Sequence, residues 1–147
     1  MFGWFWMALS ASALWGLTYV ASQYMLRTLN PFQVLWLSSL VIFIGLGIFL
    51  LVSGHSKSLI LRLEQPKVIL TVIAYSTLYF AASFLILKSI TLGNASYAAL
   101  VESSYPLFTL FFAYILLNET QFNWGILLGC GFLITGLIII QLYSAKG

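Results

Sequence analysis

Five long apolar runs, at about residues 4–22, 32–52, 68–87, 95–117 and 124–143, constrain this chain more than any other feature. A helix needs about 20 apolar residues to cross a hydrocarbon core of roughly 30 Å, and each run meets that length. Inside lipid a segment must satisfy its own backbone N–H and C=O groups, and only a helix does so within one segment. The expected fold is an all-α integral membrane protein, a bundle of five transmembrane helices joined antiparallel by short links. Composition agrees: 62% of residues are hydrophobic and 6% charged, against about 25% charged in a soluble domain. Mean hydropathy is +1.05. Too few charges exist to build a water-facing shell.

The links carry the punctuation. "RTLNP" at 27–31 ends the first run, and Pro31 falls just inside the start of the second helix, where its missing N–H is harmless. "SGHSKSLILRLEQPK" at 53–67 is the one substantial loop, and its "SLILRL" portion predicts a short interfacial helix. "KSITLGN" at 88–94 and "NETQFN" at 118–123 read as tight hairpin links. The opening "MFGWFWMALSASALWGLTYV" has no basic n-region and outruns the usual h-region of a signal peptide, so it reads as a retained first span. Residues 1–147 read as a single transmembrane domain with no soluble domain appended. With the N-terminus inside, Lys57, Arg62 and Lys67 face the cytoplasm and Arg27, Lys88 and Lys146 the other side. That balance sets no orientation by the positive-inside rule; the clustering in one loop mildly favours N-inside.

Several function classes drop out. Six dispersed basic residues make no nucleic-acid surface, which needs clustering on one face. Cys130 is single and lies in an apolar run, so it reads as a packing residue, with neither a disulfide framework nor a thiolate cluster. The chain has no Asp, and His55 has no ligand-type residue near it in sequence, so neither a metal site nor a cofactor is expected.

The fourth run poses a specific problem. It contains Glu102 and, one turn later, Pro106. A proline nitrogen carries no hydrogen, so the Glu102 carbonyl loses its helical partner. A side-chain carboxyl and a released backbone carbonyl then share one level of a span, which is tolerated only where protein or water covers them. Ala95, Ala98, Ala99, Pro106, Thr109 and Ala113 recur at helical spacing from Glu102 and are small or kinked. The other side carries Leu100, Leu107, Phe108, Phe111 and Ile115. This pattern predicts that Glu102 points inward, about 10 Å from the start of its span, where it exchanges protons as a substrate binds or leaves. Ser103, Ser104 and Tyr105 are neighbouring hydrogen-bond partners. An intramembrane acid is also able to serve only as a bond between helices, and the residues leave both readings open.

Two further spans carry polar stripes at helical spacing: Ser12, Trp15, Tyr19 and Ser22 in the first, and Thr71, Tyr75, Tyr79 and Ser83 in the third. Mid-span tyrosines need a partner for the hydroxyl, and aromatic faces near an acid suit a cationic or amphipathic ligand. Interhelical packing accounts for each stripe taken alone. Trp4, Trp6 and Trp124 sit at span ends, as an aromatic belt requires. In the last run, Gly125, Gly129 and Gly136 form a small-residue stripe that lets a helix approach closely, from this bundle or from another molecule. Asn118 suits a left-handed helix stop, and Glu119 beyond it would face the positive end of the next helix, a structural role.

Taken in order, "ALWGLTYVASQYML" (13–26), "LNPFQVLW", "FLILKSITLGNASYAALVESSYPLFTLFFAYILLNE" and "GILLGCGFLITGLIII" resemble one repeat of the drug/metabolite transporter superfamily, EamA-like type. The resemblance runs along almost the whole chain. It implies movement of a small organic metabolite or drug-like compound by alternating access, in a bacterial cytoplasmic membrane. Family members usually have ten spans in two oppositely oriented halves around a central cavity, to which the first, third and fourth spans of each half contribute. By that resemblance the substrate-binding candidates are Trp15, Tyr19, Tyr75, Tyr79, Glu102 and Pro106, with Glu102 as the proton-coupling group. An arginine frequent in the second span is Ser38 here, and the family's Gly-Glu is Asn118–Glu119. One repeat implies an antiparallel homodimer or a second half-transporter as partner. Competing readings are an accessory membrane protein that pairs with another transporter, a small multidrug-resistance exporter, and an intramembrane enzyme. The exporters have four spans and an acid in the first, which this chain lacks. An enzyme would need a catalytic pair, and the spans hold none.

Overall fold

The computed structural model describes residues 3–118 and 123–144. Among them the chain is helical, with α1 Gly3–Met25, α2 Pro31–Val52, α3 Ser56–Leu63, α4 Pro66–Leu92, α5 Ala95–Glu102, α6 Tyr105–Leu117 and α7 Trp124–Ser144. Four stretches are long and apolar enough to cross a membrane: Pro31–Val52, Pro66–Leu92, Ala95–Leu117 and Trp124–Tyr143. Helix α1 has the length, at 23 residues, but falls outside that set because Trp, Tyr, Ser, Thr and Gln dilute its aliphatic content. The expected fifth span therefore rests on α1 alone.

The chain divides into two compact units, one of residues Met1–Gln23 and Leu92–Gly147 and the other of Tyr24–Thr91. In the second unit, α2 starts as its sequence requires. Pro31 occupies the first turn, Asn30 accepts a hydrogen bond from the Gln33 backbone N–H at 2.9 Å, and the Gln33 side chain accepts one from the Asn30 N–H at 2.9 Å. This reciprocal capping box leaves two terminal donors satisfied. The loop at 53–67 turns at Gly54, whose φ of +72° suits glycine, and then forms α3. That 8-residue helix matches the expected short helix and shows Leu59, Ile60 and Leu63 at its surface. Its last turn holds Arg62, favourable at the negative helix end.

Helix α4 is longer than the run at 68–87 predicts. It covers 27 residues, about 40 Å at 1.5 Å per residue, so it outreaches a roughly 30 Å core unless it tilts. Its extra turn buries Leu87 and Ile90, and Thr91 donates to the Leu87 carbonyl at 2.8 Å. The expected hairpin link at 88–94 thus shrinks to Gly93 and Asn94, because burial outweighs the polar look of "KSIT". On the facing helix of the same unit, the Phe32 and Phe84 rings meet with centroids 4.6 Å apart.

In the first unit, α5 packs on α7, with Ala95 and Ala98 buried. Helix α6 ends at Asn118, in the left-handed conformation at φ 53°, and its N–H bonds back to the Ala113 carbonyl. That is the expected stop. Glu119 lies outside the described residues, as do the side chain of Trp4 and residue Lys146. The apolar windows of the four spans are almost wholly unburied within the chain, the arrangement of a protein whose solvent is lipid.

Candidate functional site

The fourth run becomes two helices rather than one kinked helix, and the start of the first is built with care. Asn94 accepts from the Tyr97 N–H at 2.8 Å, and Gln23 at the end of α1 accepts from the Ala95 N–H, also at 2.8 Å. Both donors are among those a helix N-terminus leaves unpaired. Tyr19 and Ser22 are buried beside this joint on α1, Ala95 and Ala98 on α5. Neither the Gln23 bond nor the Asn94 cap emerged from the sequence reading. The cap had a signal, an Asn immediately before a small-residue helical run; the Gln23 bond had none, being a contact 72 residues apart.

Eight residues after it begins, α5 stops at Glu102. Ser103 still donates to the Ala99 carbonyl at 3.0 Å, but Ser104 donates three residues back to Val101 at 3.1 Å, and Leu107 three back to Ser104 at 3.0 Å. The turn is tightened on both sides of Pro106, and Pro106 itself has nothing to donate to the Glu102 carbonyl. The Ser103 hydroxyl caps the Leu100 carbonyl. So a carboxyl, a released carbonyl and the negative end of α5 coincide, and the positive end of α6 opens two residues later. Non-helical backbone at membrane depth of this kind belongs where it lines a cavity or is buried in protein.

Within the single chain, cover does not reach Glu102. The small-residue face is indeed its helix's covered side at Ala95 and Ala98, and Ala99, Pro106 and Ala113 are half-buried. Glu102 and Thr109, however, are exposed. The packing against α7 and the Gln23 joint cover the first two turns of α5, and that cover has run out by Glu102. On the opposite side, Leu100, Phe108, Phe111 and Ile115 are exposed and Leu107 is half-buried.

The remaining candidates distribute as follows. On α1 the stripe divides: Tyr19 is 9% exposed, whereas Trp15 is 55% exposed. Counted along their helices from the Gln23–Ala95 bond, Trp15 is about 12 Å away and Glu102 about 10 Å. Tyr75 and Tyr79 belong to the other unit, are 68% and 50% exposed, and stack with centroids 6.3 Å apart at 23°. They form an outward-facing aromatic ledge. Thr71 of the same stripe is spent on the Lys67 carbonyl at 2.8 Å. A concavity of about 700 Å³ lies among α2 and α4 residues and includes none of these candidates.

On α7, a Cβ at Gly129 or Gly136 would meet nothing within 4 Å, and one at Gly125 would meet only Asn123 Oδ1 at 3.2 Å. Among the described residues, no other helix is seated on the stripe. Among the described residues no three His, Cys, Asp or Glu side chains stand together as a metal site would need.

The model of the EamA-like transporter family matches residues 2–142, nearly the full length. No curated protein and no solved structure matches the chain. The family match agrees with apolar helices of spanning length. This chain belongs to the EamA-like transporter family, and is thus a multi-pass membrane transporter of the drug/metabolite superfamily.

Proposed function

We propose that the chain acts as one transmembrane domain of five spans, α1 included, and forms half of a proton-coupled secondary transporter. It works by alternating access on a small organic metabolite or drug-like compound, in a bacterial cytoplasmic membrane. The observation that carries this reading is an exposed carboxyl, Glu102, at a break in a 23-residue apolar span. A charge-bearing group facing hydrocarbon is expensive, so Glu102 faces a water-filled path or another protein. The released carbonyl and the α5 C-terminus beside it favour a proton or a cationic substrate there, and discontinuous helices provide ion and substrate sites in transporters. Pro106 maintains the break. Trp15 and Tyr19 are proposed aromatic contacts for an amphipathic cation, and Tyr75 and Tyr79 are proposed separately as such contacts. A second five-helix unit in the opposite orientation, from another copy or another half-transporter, covers the exposed acid. The Gly125, Gly129 and Gly136 stripe, open in the single chain, is proposed as a seam toward such a unit.

The test uses purified protein in proteoliposomes loaded with a pH dye, with ethidium as a flat cationic probe. Ethidium addition drives proton movement through the wild type, and Glu102→Gln abolishes it while insertion is retained. Proton-coupled ethidium movement that survives Glu102→Gln contradicts the role of Glu102. A second reading is a non-transporting accessory protein, favoured by the large apolar surface the chain leaves uncovered. Protein that moves nothing alone, tolerates Glu102→Gln and copurifies with a larger transporter fits that reading.

A further inference from the structure

The Tyr24–Thr91 unit carries an open groove of about 700 Å³, lined mainly by apolar side chains including Leu29, Phe32, Leu35, Trp36 and Phe80. Its volume falls inside the about 300–1,000 Å³ typical of small-molecule sites, but its chemistry does not suit a polar solute. Asn30 and Gln33 also line it, and each is already engaged in capping the other's backbone N–H. The groove follows α2 from Leu29 to Ser39, about 15 Å at 1.5 Å per residue. That is half of a roughly 30 Å hydrocarbon core, the depth of one leaflet.

Two cations stand at the Leu29 end of the groove. Arg27 lies two residues before Leu29, exposed, with its guanidinium 5.8 Å from the centroid of the Tyr24 ring. On α4 the groove wall is Phe80, and Phe84 touches Phe32 at the α2 entry. Lys88 continues that four-residue spacing one turn further and is exposed. Both cations therefore stand at the shallow end. The unit's one acid, Glu64, lies with Arg62 and Lys67 around the start of α4, at the opposite end of the span and beyond the Ser39 end of the groove.

We infer that this groove holds an acyl chain of an anionic phospholipid of the surrounding bilayer, with its phosphate between Arg27 and Lys88. The apolar wall takes the chain over one leaflet depth, and the cations take the headgroup, as basic residues at the membrane surface do. The site rests on α2 and α4 and is independent of Glu102 and of the transport proposal.

The test is native mass spectrometry of the purified protein supplied with phosphatidylglycerol or phosphatidylcholine of the same acyl chains. The wild type retains phosphatidylglycerol in roughly 25-fold preference, in keeping with about fivefold for each of the two cations near an anionic headgroup. Arg27→Gln combined with Lys88→Gln removes the preference. Ser39→Trp, which fills the deep end of the groove, lowers retention of both lipids while the cations remain. Equal retention of the two lipids by the wild type overturns the proposal without recourse to any variant. So does a preference that survives loss of both cations, or crosslinking of Ser39→Cys between two copies at the expense of bound lipid, which would make the groove a protein interface.

Discussion

Two spans of this protein are nearly equal in length and each contains one proline, yet they behave in opposite ways. Helix α2 runs unbroken from Pro31 to Val52, and the span at Ala95–Leu117 divides into α5 and α6. In α2 the proline stands in the first turn, where its absent N–H was an orphan in any case, and a reciprocal Asn30–Gln33 cap completes the end. In the other span the proline lies twelve residues in from Asn94, where the missing N–H releases the Glu102 carbonyl and the turns on either side tighten. One residue type initiates a helix in the first case and splits one in the second. Position relative to the helix ends decides which.

The largest expected effect falls on the acid at the split. Glu102→Gln abolishes proton movement in proteoliposomes yet leaves the amount of inserted protein unchanged. Next in size is Pro106→Ala. Restoring the N–H lets α5 and α6 join, which raises thermal stability by as much as about 3 kcal/mol while transport falls. Pro31→Ala changes neither by much, since position N1 tolerates either residue. A transporter that gains stability and keeps full activity with Pro106→Ala would show that the break is incidental.

Two smaller effects sharpen the same contrast. Gln23→Ala leaves the buried Ala95 N–H without its acceptor, at a cost of about 1–3 kcal/mol, and lowers transport because α5 loses its anchor. Asn30→Ala removes the α2 cap at a cost of about 1 kcal/mol and leaves transport unaltered. Thermal unfolding in detergent read beside transport separates the two. Equal transport losses would mean that the caps act only through general stability.

Much of this fold was legible in sequence because lipid makes strong demands. Apolar runs bounded by Asn-Pro, Gly-Asn and Asn-Glu gave the positions of α2, α4, α6 and α7, and the left-handed stop at Asn118 followed from residue type. Pro106 announced a disturbance, which the structure resolves as two helices. What stayed hidden depended on contacts far along the chain. The burial of Leu87 and Ile90 extends α4 past a polar stretch, and the Gln23–Ala95 bond joins positions 72 apart. The exposure of Glu102 was hidden for a related reason. Periodicity identifies which residues share a face, whereas cover depends on how far the neighbouring helix extends. Helix α1 shows the limit of hydropathy itself: its Trp, Tyr and Ser residues lower its hydropathy below that of the other long helices.

The central claim is that Glu102 meets water at membrane depth. Single cysteines at Glu102 and at Phe108, both exposed positions of the broken span, are placed in a Cys130→Ala background and treated with a membrane-impermeant thiol reagent in sealed vesicles. The account predicts rapid labelling at Glu102→Cys and protection at Phe108→Cys, which faces lipid or packs. Equal protection at both positions would place Glu102 in hydrocarbon and contradict the account.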